Sequence, residues 1–159
     1  MIKTDAPPEL STLCTGCSAC ANICPRDAIS MNWSPSGFLT PAVNLEACVH
    51  CGLCTKTCPD LNPPARPPQA FDEPRAYAAW ALDEAVRLNS SSGGVFTILA
   101  RHILAQGGVV YGVAWNTDGE LSVRHVRLDS LPELKLLNGS KYLQADPGHA
   151  YRDIKKDLK

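Results

Sequence analysis

The eight cysteines of this 159-residue chain constrain its folding more than any other feature of the sequence. All of them lie between Cys14 and Cys58, in two copies of the pattern C-x2-C-x2-C-x3-C-P. Each cysteine of the second copy, and the proline that ends it, lies 34 positions after its counterpart in the first. A disulfide framework spreads its cysteines along the chain and needs an oxidising compartment, so this clustering indicates metal binding.

The spacing within each copy suits an iron–sulfur cluster. Three thiolates on one tight loop can face three irons of a cubane, and small residues between them let backbone N–H groups approach the sulfurs. Two zinc sites are the alternative, but zinc ribbons pair two separated C-x2-C knuckles and do not need four closely spaced cysteines followed by proline. His50, between two of the cysteines, is interpreted as a spacer because four thiolates already complete a cubane.

Residues 10–60 resemble the two-cluster 4Fe-4S ferredoxins, in which the fourth cysteine of each run ligates the cluster of the other run. The resemblance implies a first cluster on Cys14, Cys17, Cys20 and Cys58, and a second on Cys48, Cys51, Cys54 and Cys24. Such crossing ties the two halves together, so metal binding is expected to supply much of the folding energy of this module.

Proline content divides the chain. The sixteen residues 59–74 contain six prolines, which a regular helix or central strand cannot accommodate. We therefore predict a ferredoxin-type domain at 1–60, a stiff proline-rich linker at 61–74 and a second domain at 75–159. Within the first domain, 28–33 and 38–43 are predicted to be strands around a turn at 34–37.

The second domain alternates strand and helix patterns. We predict a buried strand at 77–82, a helical turn at 83–88, and a helix at 93–106 capped by Ser91 or Ser92 and stopped by Gly107-Gly108. A hairpin of 109–115 and 121–128 follows, then a helix at 130–137, a strand at 141–144 and a basic helix from Gly148. The predicted class is α+β: a bacterial ferredoxin-like two-cluster module followed by a small mixed α/β domain.

Two stretches of the second domain carry chemistry. The first, NSSSGGV at 89–95, puts hydroxyls and glycines at a helix N-terminus, where free N–H groups favour an anion or an electron-rich carbonyl. The second, NGSKYLQ at 138–144, places a lysine and a tyrosine after a tight turn. Taken separately, each stretch has a simpler explanation. The first can be a serine cap with a glycine turn, and the second an ordinary surface turn.

The order of the two stretches along the chain is more specific than either stretch alone. SSSGGVFTILARHILAQGGVVYGVAW, a hairpin, a short helix and GSKYLQAD together resemble the N-terminal domain of the coenzyme F-420 hydrogenase/dehydrogenase beta-subunit family, over residues 75–159. The resemblance implies that iron–sulfur clusters exchange electrons with a flavin, FAD, and that the flavin exchanges a hydride with a soluble carrier, coenzyme F-420 in the founding members. The residues it places around the flavin are Ser91, Ser92, Gly93, Gly94, Thr97, Gly139, Ser140, Lys141 and Tyr142.

The same resemblance bears on partners. Family members continue past the point where this chain stops, into a second domain that completes the flavin and substrate pocket. Two interpretations follow: this chain is a fragment, or the site is completed by a redox partner protein or by the C-terminal half of the family on another chain. Whether one chain is a whole enzyme stays open.

Three functions follow as hypotheses: an iron–sulfur flavoprotein oxidoreductase subunit, a ferredoxin-like electron-transfer protein without its own flavin, and a structural iron–sulfur scaffold.

A net charge of -1 gives no general attraction to nucleic acid or anionic membranes. No segment approaches the roughly 20 apolar residues of a membrane span, and no export signal is evident, so a cytoplasmic location is expected.

Overall fold

Helices and strands are mixed throughout the part of the chain that the computed structural model describes, residues 14–63, 75–119 and 121–159. In chain order the elements are α1 (Ala19–Ile23), β1 (Ile29–Trp33), β2 (Leu39–Val43), α2 (Leu53–Thr57), α3 (Glu84–Leu88), α4 (Val95–Ala105), β3 (Val110–Asn116), β4 (Ser122–Leu128), the 3₁₀ helix Pro132–Leu137 and α5 (Ala150–Asp157). The predicted mixture of helix and strand is confirmed. Most of the predicted linker lies outside the described residues.

Contacts divide the described chain into two units, 14–63 with 146–159, and 75–145. The first contains a two-stranded antiparallel sheet in which Ile29 pairs with Val43 and Trp33 with Leu39. Its turn is closed by the Gly37 N–H, which donates to the Ser34 carbonyl over 2.9 Å. Both predicted strands and their turn are confirmed.

The sequence repeat is also a repeat of backbone conformation. Helices α1 and α2 each follow a residue with left-handed φ, 61° at Ser18 and 72° at Gly52. Each ends at the last cysteine of its run, Cys24 or Cys58, where the backbone becomes extended and turns away from the loop. The two helices pack against each other, so the related halves of the unit share one interface.

The last segment of the chain belongs to the first unit, whereas the sequence places it in a domain of 75–159. The Asn22 amide Nδ2 donates to the Gly148 carbonyl over 2.8 Å. The Arg152 guanidinium donates to carbonyls at the end of α1 and forms a 2.6 Å ion pair with Asp27. Because these partners lie more than a hundred positions apart along the chain, local sequence patterns carry no signal of their contact.

The second unit packs α4 and the 3₁₀ helix against the β3–β4 hairpin. Its buried apolar residues are Ala100, Leu104, Ala114, Leu128, Leu134 and Leu137. The hairpin register runs from Val110 opposite Leu128 to Asn116 opposite Ser122. The predicted hairpin and the helical turn, now α3, are confirmed. The Asp83 carboxylate caps α3 by accepting from the Ala85 N–H.

Two strands predicted in this unit are wrong. Residues 77–82 form no strand, since Trp80 is 59% exposed and only Ala81 is buried, its N–H donating to the Gly93 carbonyl. Residues 141–144 form no strand either. Within the described second unit the sheet consists of β3 and β4, and residues 141–144 do not pair with it. The helix predicted at 130–137 is confirmed as a 3₁₀ helix that begins at Pro132.

The start of α4 also differs from the prediction. Gly94, at φ 76°, precedes the helix, and no side chain caps it, so the expected serine cap is wrong. The Ser91 hydroxyl instead contacts the hydroxyl of Ser140. The predicted stop is confirmed: Gly107 has φ 77°, and the Gly108 N–H donates to the Ile103 carbonyl.

Among the described helices, none combines the length and apolar character that crossing a membrane requires.

Candidate functional site

Four of the cysteines line one small cavity in the first unit. Cys14, Cys17 and Cys20 come from the first loop, and Cys58 comes from the end of α2. Met31 and Pro41 of the β-hairpin close the cavity with apolar surface. Four thiolates around an apolar cavity are the donor set of a 4Fe-4S cluster, so these residues fit that group. The chain direction at Cys58, extended after a helix, brings this cysteine to the loop of the other run.

The remaining four cysteines lie at the equivalent positions of the repeat. Cys48, Cys51 and Cys54 lie on the second loop and the first turn of α2, and Cys24 ends α1, which packs on α2. Among the described residues no three His, Cys, Asp or Glu side chains are grouped to hold a single metal ion. A cubane makes a different demand, because it distributes its four thiolates over four irons.

Backbone N–H groups approach the sulfurs, as the small residues of the loops predict. The Gly16 N–H donates to Cys14 Sγ over 3.4 Å, and the Ala28 N–H donates to Cys24 Sγ over 3.3 Å. Both bonds favour the negative charge of a thiolate. In a cluster such bonds raise the reduction potential, since the reduced cluster carries one more negative charge.

The cysteines differ in their access to solvent. Cys20 is buried, whereas Cys51 is exposed. Burial, with a smaller effect of the neighbouring Cys17 and Cys14, raises the pKa of the Cys20 thiol to about 11. A thiol with so high a pKa keeps its proton at neutral pH, so a metal must displace that proton to bind. Cluster assembly at this loop is therefore coupled to proton release.

A second pocket lies within the second unit, where the two chemical stretches meet. Residues 90–97 and 137–140, with Ala79, line a space of about 330 Å³. Ser91 Oγ and Ser140 Oγ lie 3.1 Å apart although 49 positions separate them in sequence. The structure thus brings together seven of the nine residues predicted to surround a flavin: Ser91, Ser92, Gly93, Gly94, Thr97, Gly139 and Ser140.

Two glycines shape the wall of this loop pocket. A Cβ atom at Gly93 would lie 2.6 Å from the Ala79 carbonyl oxygen, so no other residue fits without moving the backbone. Gly94 adopts φ 76° and directs the chain into α4. The first N–H groups of α4, at Val95, Phe96 and Thr97, have no earlier turn to bond to and belong to residues that line the pocket.

Lys141 and Tyr142 are not among the residues that line the pocket. The Lys141 ammonium donates to the carbonyls of Asn138, over 2.9 Å, and Leu136, over 3.4 Å. Burial lowers the pKa of Lys141. Tyr142 is 93% exposed. Lys141 therefore stabilises the 138–140 turn through hydrogen bonds to backbone carbonyls.

Three polar or aromatic residues of the pocket wall were not among the residues predicted to surround a flavin: Ser90, Phe96 and Asn138. Ser90 and Asn138 lie within the two predicted stretches, 89–95 and 138–144, and Phe96 follows the first. Their positions beside predicted residues were the available signal. The Ser90 hydroxyl donates to the Val86 carbonyl over 2.7 Å, which joins this wall to α3.

The cysteine geometry defines an iron–sulfur electron-transfer domain, and comparison with protein families agrees. Residues 13–61 match the 4Fe-4S dicluster domain. Residues 76–149 match the family described as "Coenzyme F420 hydrogenase/dehydrogenase, beta subunit N-term". The two matches follow one another in the order predicted from the sequence, and that prediction is confirmed.

Individual relatives match over short stretches. An iron–sulfur subunit of the CoB--CoM heterodisulfide reductase of Methanocaldococcus jannaschii is 34% identical over 59 residues, 29% of this chain and 9% of the relative. An uncharacterized polyferredoxin-like protein of the same organism is 38% identical over 58 residues, 31% of this chain and 34% of its own length. The ferredoxin-type protein NapF of Haemophilus influenzae is 40% identical over 43 residues, 27% of this chain and 24% of the relative. The chain thus spans at most about a third of these relatives.

Proposed function

We propose that this chain is an iron–sulfur flavoprotein oxidoreductase subunit, in which two 4Fe-4S clusters exchange electrons with FAD and the flavin exchanges a hydride with a soluble carrier such as coenzyme F-420. The observation that carries the proposal is the convergence of Ser91 and Ser140 on one pocket, in a chain that also has a dicluster domain. The match of residues 76–149 to a coenzyme F420 hydrogenase/dehydrogenase beta-subunit domain supports the choice of carrier.

The thiolates of Cys14, Cys17, Cys20 and Cys58 would hold one cluster, and those of Cys48, Cys51, Cys54 and Cys24 the other. The cavity shared by Cys58 and the first loop supports this crossed assignment. When bound, the clusters supply one-electron transfer at potentials that their surroundings set. The chain's own contribution is the exclusion of water from Cys20 and the N–H bonds to Cys14 and Cys24.

In the loop pocket, N–H groups of the first turn of α4 and the hydroxyls of Ser91, Ser92 and Ser140 would bind an electron-rich group. A phosphate or the pyrimidine edge of a flavin meets that description, and donors aimed at that edge stabilise the negative charge that appears on reduction. Gly93 and Gly94 let this loop pack closely on Ala79, Ala81 and Val86, where a Cβ atom would not fit. Lys141 acts as a positioning residue, because it holds the turn that carries Ser140.

The pocket volume of about 330 Å³ is at the lower end of the range for ligand sites. A whole flavin dinucleotide needs more space, so part of it would be enclosed by further protein. We propose that a redox partner protein or a C-terminal domain of the family supplies that part, in a compartment, the cytoplasm, that keeps the cysteines reduced.

The test is cofactor content after anaerobic purification and reconstitution with iron, sulfide and FAD. We expect about eight irons and up to one FAD per chain. The variant Ser91→Val with Ser140→Val should keep its iron and lose FAD, because it removes two hydroxyl donors and leaves the cysteines intact. The matched control Ser36→Val alters an exposed serine of the β1–β2 turn and should keep both.

A second function becomes the better one if the reconstituted chain holds about eight irons and no flavin, as FAD or as FMN. The chain would then be a ferredoxin-like electron-transfer protein that docks a partner. The small volume of the loop pocket and the ferredoxin-type relatives favour this candidate. A scaffold role would require clusters whose absorbance does not change with a low-potential reductant.

A further inference from the structure

A basic cleft lies between α1 and α5 of the first unit, with a volume of about 630 Å³. Four cationic side chains of α5 and the residues after it line it: Arg152, Lys155, Lys156 and Lys159. Asp27 is the acidic residue that lines it. This local excess of positive charge contrasts with a net charge of -1 for the whole chain.

The two walls of the cleft are held together, because specific hydrogen bonds fix α5 to α1. The Arg152 Nε donates to the Asn22 carbonyl over 2.6 Å, and its Nη2 donates to the carbonyls of Ala21 and Cys24 over 2.9 Å each. Its Nη1 forms a 2.6 Å ion pair with Asp27. The lysines one turn further along α5 are thereby held beside the end of α1.

The lysines of the cleft are exposed. Lys156 forms a 2.7 Å ion pair with Asp153, whose carboxylate partly offsets its charge. Asp27 is paired with Arg152, so it leaves the charges of Lys155 and Lys159 in place. Apolar surface is present as well: Ile23 is 37% exposed and Tyr151 47% exposed. Exposed apolar and aromatic side chains next to charged ones are common in protein–protein contacts.

The cleft lies beside a proposed cluster ligand. Cys24 and Pro25 line it, and Cys24 is the cysteine that α1 contributes to the second cluster under the proposed ligation. A protein seated in the cleft would thus contact the backbone that carries a cluster ligand. Electron transfer between proteins requires such an approach of the two redox centres.

We propose that the basic cleft is the docking surface for an acidic one-electron redox protein, which exchanges electrons with the cluster that Cys24 ligates. This inference rests on the proposed electron-transfer function and adds the charge of the partner and its entry point. In the step, the reduced partner loses one electron and the cluster gains it. No bond forms or breaks and no proton moves. Opposite charges steer the encounter, so the association rate should fall as salt screens them.

The test uses the full chain with both clusters reconstituted, and a reduced acidic flavodoxin as the probe. Stopped-flow absorbance under anaerobic conditions follows cluster reduction at several ionic strengths. For Lys155→Glu with Lys156→Glu we expect the second-order rate at low salt to fall about tenfold or more and its salt dependence to flatten or reverse. Both lysines are exposed, so folding and iron content should not change.

Two controls separate docking from damage. Arg124→Glu reverses an exposed charge on β4 of the other unit and should react at the wild-type rate. Photoreduced deazariboflavin, an uncharged small reductant, should reduce the double variant and the wild-type chain equally fast, because it needs no charged docking site.

The outcomes are distinct. A double variant that keeps the wild-type rate and salt dependence with flavodoxin overturns the docking proposal and leaves the proposed function standing. Equal slowing with deazariboflavin also overturns it, since the lysines would then act on the cluster itself. Tight binding of an RNA duplex to the wild-type chain without any reaction with flavodoxin would instead identify a nucleic-acid surface. If deazariboflavin cannot reduce the wild-type clusters at all, the proposed function fails first.

Discussion

Replacing Arg152 with methionine should destabilise the first unit by loosening the contact between α5 and α1. The guanidinium donates three hydrogen bonds to carbonyls of residues 21, 22 and 24 at the end of α1, where the Ala21 carbonyl also accepts the Cys24 N–H over 3.4 Å. Methionine keeps much of the apolar stem and provides no donor. The change therefore removes the bonds that hold α5 in place while preserving most of the packing.

The size of the effect can be worked out from these contacts. A hydrogen bond from a charged donor contributes about 1.5–3 kcal/mol, but three bonds that share one side chain do not add in full. The Asp27 ion pair adds little, because the Asp27 side chain is 71% exposed. A total of about 2–4 kcal/mol follows. For a unit of this size each kcal/mol corresponds to about 4–8 °C in the unfolding midpoint.

The assay is thermal unfolding under anaerobic conditions, followed by circular dichroism and by cluster absorbance, with Arg152→Lys and Arg101→Met as companions. A lysine at this position can donate to one of the three carbonyls but cannot reach all of them. The unfolding midpoint of Arg152→Lys should therefore lie between those of the wild-type chain and Arg152→Met. Arg101→Met removes an exposed arginine whose ion pair with Asp83 is 4.0 Å long, and should change the midpoint little.

Hydrogen exchange supplies a second measurement, local to the contact. Amides of 150–157 should lose protection in Arg152→Met before the rest of the first unit does. A midpoint no lower than that of Arg101→Met, together with unchanged protection of α5, would show that these bonds do not anchor the helix.

Three further predictions concern the clusters, the loop pocket and the core. Cys58→Ala should abolish the cluster of the first loop and leave the other, as seen by electron paramagnetic resonance and iron content; selective loss of the second cluster would contradict crossed ligation. Gly93→Ala should abolish FAD binding in an equilibrium titration, because its Cβ would meet the Ala79 carbonyl at 2.6 Å, whereas Gly107→Ala, with open space around it and φ 77°, should cost only about 1 kcal/mol of stability and keep FAD. Leu39→Ala, at a side chain 2% exposed, should destabilise the first unit by about 2–5 kcal/mol in thermal unfolding, and a loss below about 1 kcal/mol would argue against its place in the core.

Local patterns were a sound guide wherever neighbouring residues decide the structure. The β1–β2 hairpin follows from two short β-forming runs around a Ser-Pro-Ser-Gly turn, and the end of α4 follows from Gly107. The strand predicted at 77–82 failed because an apolar run becomes a strand only when another strand pairs with it. In the described second unit β3 and β4 take each other as partners, and the run keeps one backbone bond, from Ala81 to Gly93.

The cysteine pattern is enough to predict a dicluster domain, because ligand type and spacing are properties of the chain and repeat 34 positions apart. The resemblance to a known domain pointed to both loops of the candidate flavin pocket. Tertiary packing brings Ser91 to Ser140, directs Lys141 to backbone carbonyls instead of the pocket, and fixes α5 to α1 through Arg152. Those outcomes depend on which distant surfaces bury one another and satisfy each other's polar groups, which no local pattern specifies.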